Sequence, residues 1–287
     1  MKLDNPKKYG EEERLFMATL NHKNKQSKPE LAASLREEEI RYILHAADSL
    51  IGRGGRSMLA KILKGSRDKK LLELELNTNV AYGYYSYLTL VQITERVDWM
   101  IKNDFLELEY NRDMPVLIFT EKGWLIQCDQ LTDLLLHQWR QWIEAGISDM
   151  DMTYLKDRNR GMILLFLQKV ADTSDERFIP LLKQWQLVDY QKVKKAIREV
   201  IAHLQNKGES RLALEGAAPQ VGITSDLFHQ PREAERLKCW ECGKRFEWKI
   251  EEQDVFRMRG WDPPKRCSSC REERRRQIEG FTWNDFD

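Results

Sequence analysis

The chain has 287 residues, of which 41% are hydrophobic and 10% aromatic, enough for more than one packed core. Its 47 basic and 46 acidic residues leave a formal net charge of +1, so only local charge can indicate a nucleic-acid partner. Residues 1–10 lack a signal-peptide core, and the longest apolar run, residues 162–167, is too short to cross a membrane. We therefore expect a soluble protein without a membrane partner, either free in the cytoplasm or associated with the nucleoid.

The first ordered elements are predicted to be helices. Residues 1–35 are polar and mixed, and we predict a flexible arm there. Three glutamates, residues 37–39, favour a helix N-terminus, and apolar residues then recur at helical spacing. A second helix around residues 58–63 is predicted to end at Gly65, and Ser66 is predicted to cap the start of a third.

A further helix and a hairpin follow. Residues 91–102 carry an apolar face at helical spacing, and residues 105–110 and 116–120 are predicted strands joined by a turn at residues 111–114. Helices followed by a hairpin are the order of elements in a winged helix. We therefore predict a winged-helix domain over residues 36–126.

The middle of the chain is predicted to be helical. Apolar residues recur at helical spacing throughout residues 127–207. Residues 178–204 resemble one unit of a HEAT-type helical repeat, but a small helical bundle packed on the winged helix fits the same pattern. Residues 208–236 are rich in Gly, Ala and Pro with little periodicity, and we predict a linker there.

Four of the five cysteines form two Cys-x-x-Cys pairs separated by 24 residues. Four thiolates suit tetrahedral Zn²⁺ and leave no open coordination position, so the site is predicted to hold one structural zinc ion. The predicted ligands are Cys239, Cys242, Cys267 and Cys270. We therefore predict a four-cysteine zinc ribbon over residues 237–277, followed by an acidic, aromatic tail at residues 278–287. The lone Cys128 is predicted to be a buried, unreactive thiol.

Basic residues cluster at two places. Residues 53–70 hold seven bases and one acid, and residues 274–276 are three consecutive arginines after the last zinc ligand. Helix termini with nearby bases favour phosphate, so both segments are predicted to bind nucleic acid, although zinc ribbons also mediate protein contacts. The candidate nucleic-acid-binding residues are Arg53, Arg56, Lys64, Gly65, Ser66, Arg67, Lys69, Lys70, Arg112, Arg274, Arg275 and Arg276.

The segment from Leu50 to Ser66 resembles the second-helix signature of the RQC winged helix, the C-terminal DNA-binding domain of RecQ helicases. Tyr82-Gly83, the helix with Trp99 and the strand from Val116 to Gly123 occur in the same order as in that domain, and the resemblance extends to its stand-alone bacterial branch, RQC-minor. It covers about residues 36–126. It implies phosphate contacts at Lys64, Gly65, Ser66 and Lys70, and a hairpin at Arg112 whose tip lacks the aromatic residue found in RecQ. The segment from Pro264 to Arg271 separately resembles a bacterial zinc-ribbon type.

Catalytic motifs are missing from the sequence. It has no G-x-x-x-x-G-K-[ST] phosphate-binding loop, and its five histidines are scattered without metal or triad spacing. We therefore expect a mainly α-helical, non-catalytic protein that recognises duplex or branched DNA through its winged helix, assisted by the zinc module. The alternatives are a protein-interaction adaptor and an RNA- or ribosome-binding factor.

Overall fold

The structure, a computed structural model, describes residues 34–112, 114–147, 149–206, 212–219, 225–228 and 231–280. It is mainly helical with two small antiparallel sheets, which confirms the predicted fold class. The predicted arm before Ser34 and the part of the predicted tail beyond Gly280 lie outside the described residues. None of the described helices combines the length and apolarity that a membrane crossing needs.

The first part of the chain has the order of elements predicted for a winged helix. Its hairpin is antiparallel, with Leu106 opposite Phe119 and Asn111 opposite Met114. The buried sides of its helices meet in one core that includes Ile43, Leu63 and Val97. The elements are α1 (Glu37–Asp48), α2 (Arg56–Lys64), α3 (Lys69–Glu73), a 3-10 turn (Leu76–Thr78), α4 (Leu90–Lys102), β1 (Leu106–Asn111) and β2 (Met114–Phe119).

The end of α2 confirms one local prediction and overturns another. Gly65 ends the helix with a φ of 76°, a left-handed conformation that glycine adopts without strain. Ser66, however, does not cap α3. Asp68 does, because its carboxylate accepts a hydrogen bond from the Lys70 N–H, whereas the Ser66 hydroxyl accepts from the Asp68 N–H at 3.3 Å.

The loop between α1 and α2 lies along β2. The Gly52 N–H donates to the Leu117 carbonyl at 3.0 Å, and the Leu117 N–H donates to the Gly54 carbonyl at 2.9 Å. Gly55 has no room for a side chain, since a Cβ there would lie 2.7 Å from the Pro115 carbonyl oxygen. The loop and the hairpin therefore form one surface.

A long helix connects the winged helix to the helical middle. Thr120 caps it by accepting from the Gly123 N–H, and it runs without a break across residues 126–127, where the sequence suggests a domain boundary. Trp139 packs edge to face against both Phe166 and Trp185 in the core of the middle region. The helices are α5 (Glu121–Glu144), α6 (Arg160–Asp172), α7 (Ile179–Val188) and α8 (Gln191–Gln205), with 3-10 turns at Thr153–Leu155 and Glu176–Phe178.

Parts of the stretch predicted as a linker contribute to the core. Leu214 is buried, and its N–H donates to the Gln168 side chain at 3.1 Å, while the Gln168 amide nitrogen donates to the Leu212 carbonyl. Phe228, in the short helix α9 (Ser225–Phe228), is also buried, with the Arg41 guanidinium 5.1 Å from its ring centre. The prediction of a linker was based on the Gly, Ala and Pro content of the stretch and did not consider its apolar side chains, which make these contacts.

Candidate metal centre and nucleic-acid interface

The four predicted zinc ligands come together at one point. β3 (Glu235–Lys238) and β4 (Arg245–Trp248) form a hairpin whose turn holds Cys239 and Cys242. After α10 (Ile250–Arg259), Cys267 and Cys270 lie at the start of α11 (Ser268–Gly280). All four sulfur atoms lie within 4.8 Å of one another, and the Sγ atoms of Cys242 and Cys267 are 3.9 Å apart. Tetrahedral zinc with Zn–S bonds of about 2.3 Å places sulfurs about 3.8 Å apart, so the geometry fits a structural zinc ion.

The backbone around the first cysteine pair prepares the site for a metal. Gly243 adopts a φ of 71°, which lets the chain turn back so that the Cys239 N–H donates to the Lys244 carbonyl at 2.9 Å. Backbone N–H groups of Cys242 and Cys267 lower the pKa of Cys239 to about 6, whereas a hydrogen bond with the Cys267 thiol raises the pKa of Cys270 to about 12. A low pKa favours the thiolate, which is the form that binds zinc. Cys128 is different: burial raises its pKa to about 12, as expected for an inert thiol.

The zinc module has a different shape from the ribbon expected. A ribbon takes both cysteine pairs from β-turns, whereas here the second pair lies in the first turn of α11. The turn that holds Cys239 and Cys242 (the zinc knuckle), the β3–β4 hairpin and the helix that supplies the second cysteine pair together form a treble clef. The spacing of the cysteines alone cannot distinguish the two arrangements, because each brings two close pairs to one ion.

The treble clef packs against the winged helix. The Arg257 guanidinium donates to the Lys102 carbonyl at 3.1 Å and lies 3.2 Å from the Asp104 carboxylate. Met258 packs against the main core. Gly260 passes so close to β1 that a Cβ would lie 2.5 Å from the Leu108 carbonyl oxygen. The zinc module therefore contacts the end of α4 and the outer strand of the hairpin.

Several bases of the segment 53–70 are committed to acidic partners. Arg56 lies 2.8 Å from Asp98 on α4, and Lys61 lies 2.7 Å from Asp68. Lys69 is 90% exposed and lies 3.7 Å from Glu73 on the same helix, an arrangement that contributes little to stability and leaves the charge accessible. The segment is thus less positive than its composition suggests.

Lys64 points toward the protein backbone. Its ammonium group donates to the Ser86 carbonyl at 2.6 Å and to the Leu88 carbonyl at 2.7 Å. Two of the three donors of the ammonium group are therefore used to hold the loop that leads into α4. That Lys64 also contacts phosphate stays a prediction.

Gly65 and Ser66 also have structural roles. A Cβ on Gly65 would lie 3.0 Å from the Cα of Gly83, and both residues adopt a positive φ, 76° and 77°, which favours glycine at each position. The Ser66 carbonyl accepts a hydrogen bond from the Tyr82 hydroxyl at 3.0 Å. These contacts give Gly65, Ser66 and Tyr82-Gly83 a packing function that is independent of any ligand.

Four other cations are exposed: Arg53, Arg67, Lys70 and Arg112. They make no ion pair with any residue that the structure describes. Arg53 lies in the loop beside β2 and Arg112 lies in the hairpin turn, whereas Arg67 and Lys70 lie at the opposite end of α2. The four exposed cations therefore fall into two groups, which we name the hairpin group (Arg53, Arg112) and the α3 group (Arg67, Lys70).

The outward face of α4 carries no set of base-reading side chains. Val91 and Glu95 are exposed on it, and Asp98 is paired with Arg56. Its arginine, Arg96, lies 14% exposed beside Glu39 at 3.7 Å. Acidic side chains on this face would be repelled by phosphates, so α4 is poorly suited to entering a DNA groove.

The three consecutive arginines lie on α11, which is exposed along most of its length. Arg276 pairs with Glu272 at 2.8 Å, and Arg275 also has a partner. Arg274 is exposed and makes no ion pair with the described residues. A role of α11 in phosphate binding stays a prediction.

A second basic surface, which the candidate nucleic-acid-binding residues do not include, lies in the turn of the β3–β4 hairpin. Trp240 is 74% exposed there, and Lys238 and Arg245 face each other across the strands. The sequence signal for it is the Cys-x-x-Cys turn, in which Trp240 lies between Cys239, which is buried, and Cys242, which is exposed.

Comparison with known proteins agrees with this architecture. Residues 36–132 match the family model of the RQC domain. This part of the chain is an RQC domain. Residues 235–279 match a family described as "Probable treble clef domain".

Among curated proteins, the chain is similar to the ATP-dependent DNA helicase RecQ of Bacillus subtilis, with 27% identity over 85 residues. That region is 30% of this chain and 14% of the helicase, so the chain spans a small part of its relative. No solved structure matches the chain significantly. The two family matches fall on different segments of the chain, residues 36–132 and residues 235–279.

Proposed function

We propose that this protein binds duplex or branched DNA without catalysis, through its RQC domain and with help from the treble clef. The observation that carries the proposal is the RQC domain with four exposed cations that have no ion-pair partner among the described residues. Similarity to a protein named as a DNA helicase supports DNA as the ligand. The non-catalytic role is proposed because the sequence contains no phosphate-binding loop with which a motor would hold ATP.

The arrangement of charges favours contacts with the phosphate backbone. The hairpin group and the α3 group lie at opposite ends of α2, whose nine residues span about 13 Å. A DNA duplex carries one phosphate about every 1.7 Å along its axis, so both groups could contact one duplex. Because α4 exposes acids and apolar residues, recognition would depend on shape and backbone more than on base sequence.

Charge reversal in the α3 group tests the proposal. In the double variant Arg67→Glu and Lys70→Glu, we expect affinity for a fluorescent duplex to fall ~10-fold or more, because two phosphate contacts become repulsive. Fluorescence anisotropy of the labelled duplex, titrated with the zinc-loaded full chain, measures this affinity. The matched control is Lys192→Glu with Arg198→Glu, which reverses two exposed charges on α8.

The control should bind duplex DNA as the wild type does. Equal losses in the two double variants would contradict the proposal, since net charge rather than this surface would then govern binding. Tighter binding of structured RNA than of duplex DNA would favour the RNA-binding alternative. Binding to neither nucleic acid would leave a protein-interaction adaptor as the better explanation.

A further inference from the structure

Trp240 has an unusual position in the treble clef. It follows Cys239 directly in the turn that joins β3 to β4, and its backbone N–H donates to the Lys265 carbonyl at 2.9 Å. The turn therefore fixes the backbone, yet 74% of the residue is exposed. The Lys265 ammonium lies 5.1 Å from the ring centre on one side, and this contact leaves most of the indole open.

The indole forms one wall of a surface pocket of about 460 Å³. Pro263 and Pro264 also line it, together with Leu237. Proline rings restrict the backbone, so the wall they form is rigid before any ligand binds. The size lies within the range of small-molecule and single-residue binding pockets.

The surroundings of the pocket are positively charged. Lys238 and Lys265 line it, and Arg245 lies directly opposite Lys238 across the β3–β4 ladder. Like charges opposite each other destabilise a sheet, and none of these three cations has an ion-pair partner in the part of the chain that the structure describes. Asp262 is an acid in the lining, whereas the nearby Glu241 is already paired with Arg266 at 2.8 Å.

We propose that this pocket, the knuckle pocket, binds an unpaired nucleotide of single-stranded DNA. The base stacks on the open face of Trp240, and Lys238, Arg245 and Lys265 contact the phosphates on either side. Aromatic stacking combined with backbone cations is the common mode by which proteins bind single strands without sequence preference.

The choice of DNA rests on the proposed function, because the treble clef packs on the RQC domain through Arg257 and Gly260. A branched DNA that binds the RQC domain would present its single strand close to the zinc module. The pocket and the RQC surface use different residues, so each can be tested without the other.

The test measures anisotropy of a fluorescent oligothymidine strand bound to the zinc-loaded full chain. We expect Trp240→Ala to weaken binding about 5- to 100-fold, the range found when a stacking residue is removed. Trp240→Phe should restore most of the affinity, because a phenyl ring can still stack. The matched control is Tyr190→Ala, which removes another exposed aromatic residue, in the helical middle. Zinc content and circular dichroism confirm that each variant is folded.

A second variant tests the cations independently of the indole. Lys238→Glu with Arg245→Glu should make the negative slope of log affinity against log salt shallower by about 1.4, since each phosphate contact on a single strand contributes about −0.7 to the slope. Binding to blunt duplex should weaken much less than binding to the single strand in both the Trp240 and the Lys238–Arg245 variants.

The outcomes separate the two proposals. Wild-type binding to duplex but not to the single strand would overturn the knuckle pocket and leave the proposed function standing. Unchanged single-strand binding in Trp240→Ala would overturn it as well, as would capture of single-stranded RNA in preference to DNA. Single-strand binding that depends on Trp240, without any duplex binding, would support the pocket and refute the RQC proposal.

Discussion

Replacing Lys64 with alanine separates a structural role from a role in DNA binding. Lys64 ends α2, and its ammonium group bridges the carbonyls of Ser86 and Leu88 just before α4 begins. Hydrogen bonds to a charged donor contribute about 1.5–3 kcal/mol each in mutational series. Because the side chain is half-exposed, water replaces part of the loss, and we expect Lys64→Ala to lower the free energy of unfolding by about 2 kcal/mol in total.

The assay is urea unfolding of the zinc-loaded chain, followed by circular dichroism, with duplex affinity measured in parallel under native conditions. The matched variant is Lys70→Ala, whose side chain is exposed and makes no ion pair with the described residues. We expect Lys64→Ala to lose stability while the folded protein keeps its duplex affinity, and Lys70→Ala to show the reverse. A Lys64→Ala protein that is as stable as the wild type but binds DNA poorly would refute the reasoning, because Lys64 would then be a phosphate contact.

Three further predictions follow from other parts of the fold. A chelator, or Cys267→Ser, should remove the single zinc ion and unfold the treble clef, since a structural zinc site supplies about 10 kcal/mol or more of folding free energy. Metal content measures the loss of zinc and near-ultraviolet circular dichroism measures the unfolding, and an unchanged spectrum would contradict the prediction. Gly123→Ala should lower the free energy of unfolding in urea by about 1–3 kcal/mol, because a methyl group would overlap the Phe105 carbonyl oxygen. In the control Gly146→Ala the methyl group meets nothing within 4 Å, so only the strain of the left-handed backbone should lower the stability. Burial lowers the pKa of His45 from its ordinary value of 6.5 to about 4, so the unfolded chain binds more protons than the folded chain between these two pH values. The free energy of unfolding should therefore fall by about 1.4 kcal/mol per pH unit as the pH drops from 6.5 toward 4. The His45→Gln variant should lack this component.

The helices and the hairpin of the RQC domain could be predicted because their apolar residues repeat with a clear period. Gly65 could be predicted as the end of α2 for a similarly local reason, since it follows the last apolar residues of the helix. The zinc ligands were predictable because four thiols in two close pairs have one dominant use. In each case the signal lies within a few residues of the feature it specifies.

The rest depends on contacts between distant residues, which no local pattern reveals. The Lys64 ammonium group donates to carbonyls more than twenty positions along the chain, whereas its predicted contact with phosphate stays a prediction. The Arg56 guanidinium donates to the carboxylate of Asp98, 42 positions away, and this ion pair reduces the positive charge that Arg56 presents to a ligand. The docking of α10 through Arg257 joins residues 155 positions apart. Charge counted along a sequence therefore overestimates the charge that a folded surface presents.

The dependence of duplex affinity on salt is the most direct test of the central claim that exposed cations of the RQC domain bind the DNA backbone. Four phosphate contacts, at Arg53, Arg67, Lys70 and Arg112, predict a slope of about −4 for log affinity against log salt concentration. Replacing all four with glutamine should remove most of this slope and leave only the contribution of the treble clef, while zinc content and circular dichroism stay unchanged. A slope that stays near the wild-type value in this variant would contradict the account, because the phosphates would then be bound by another surface.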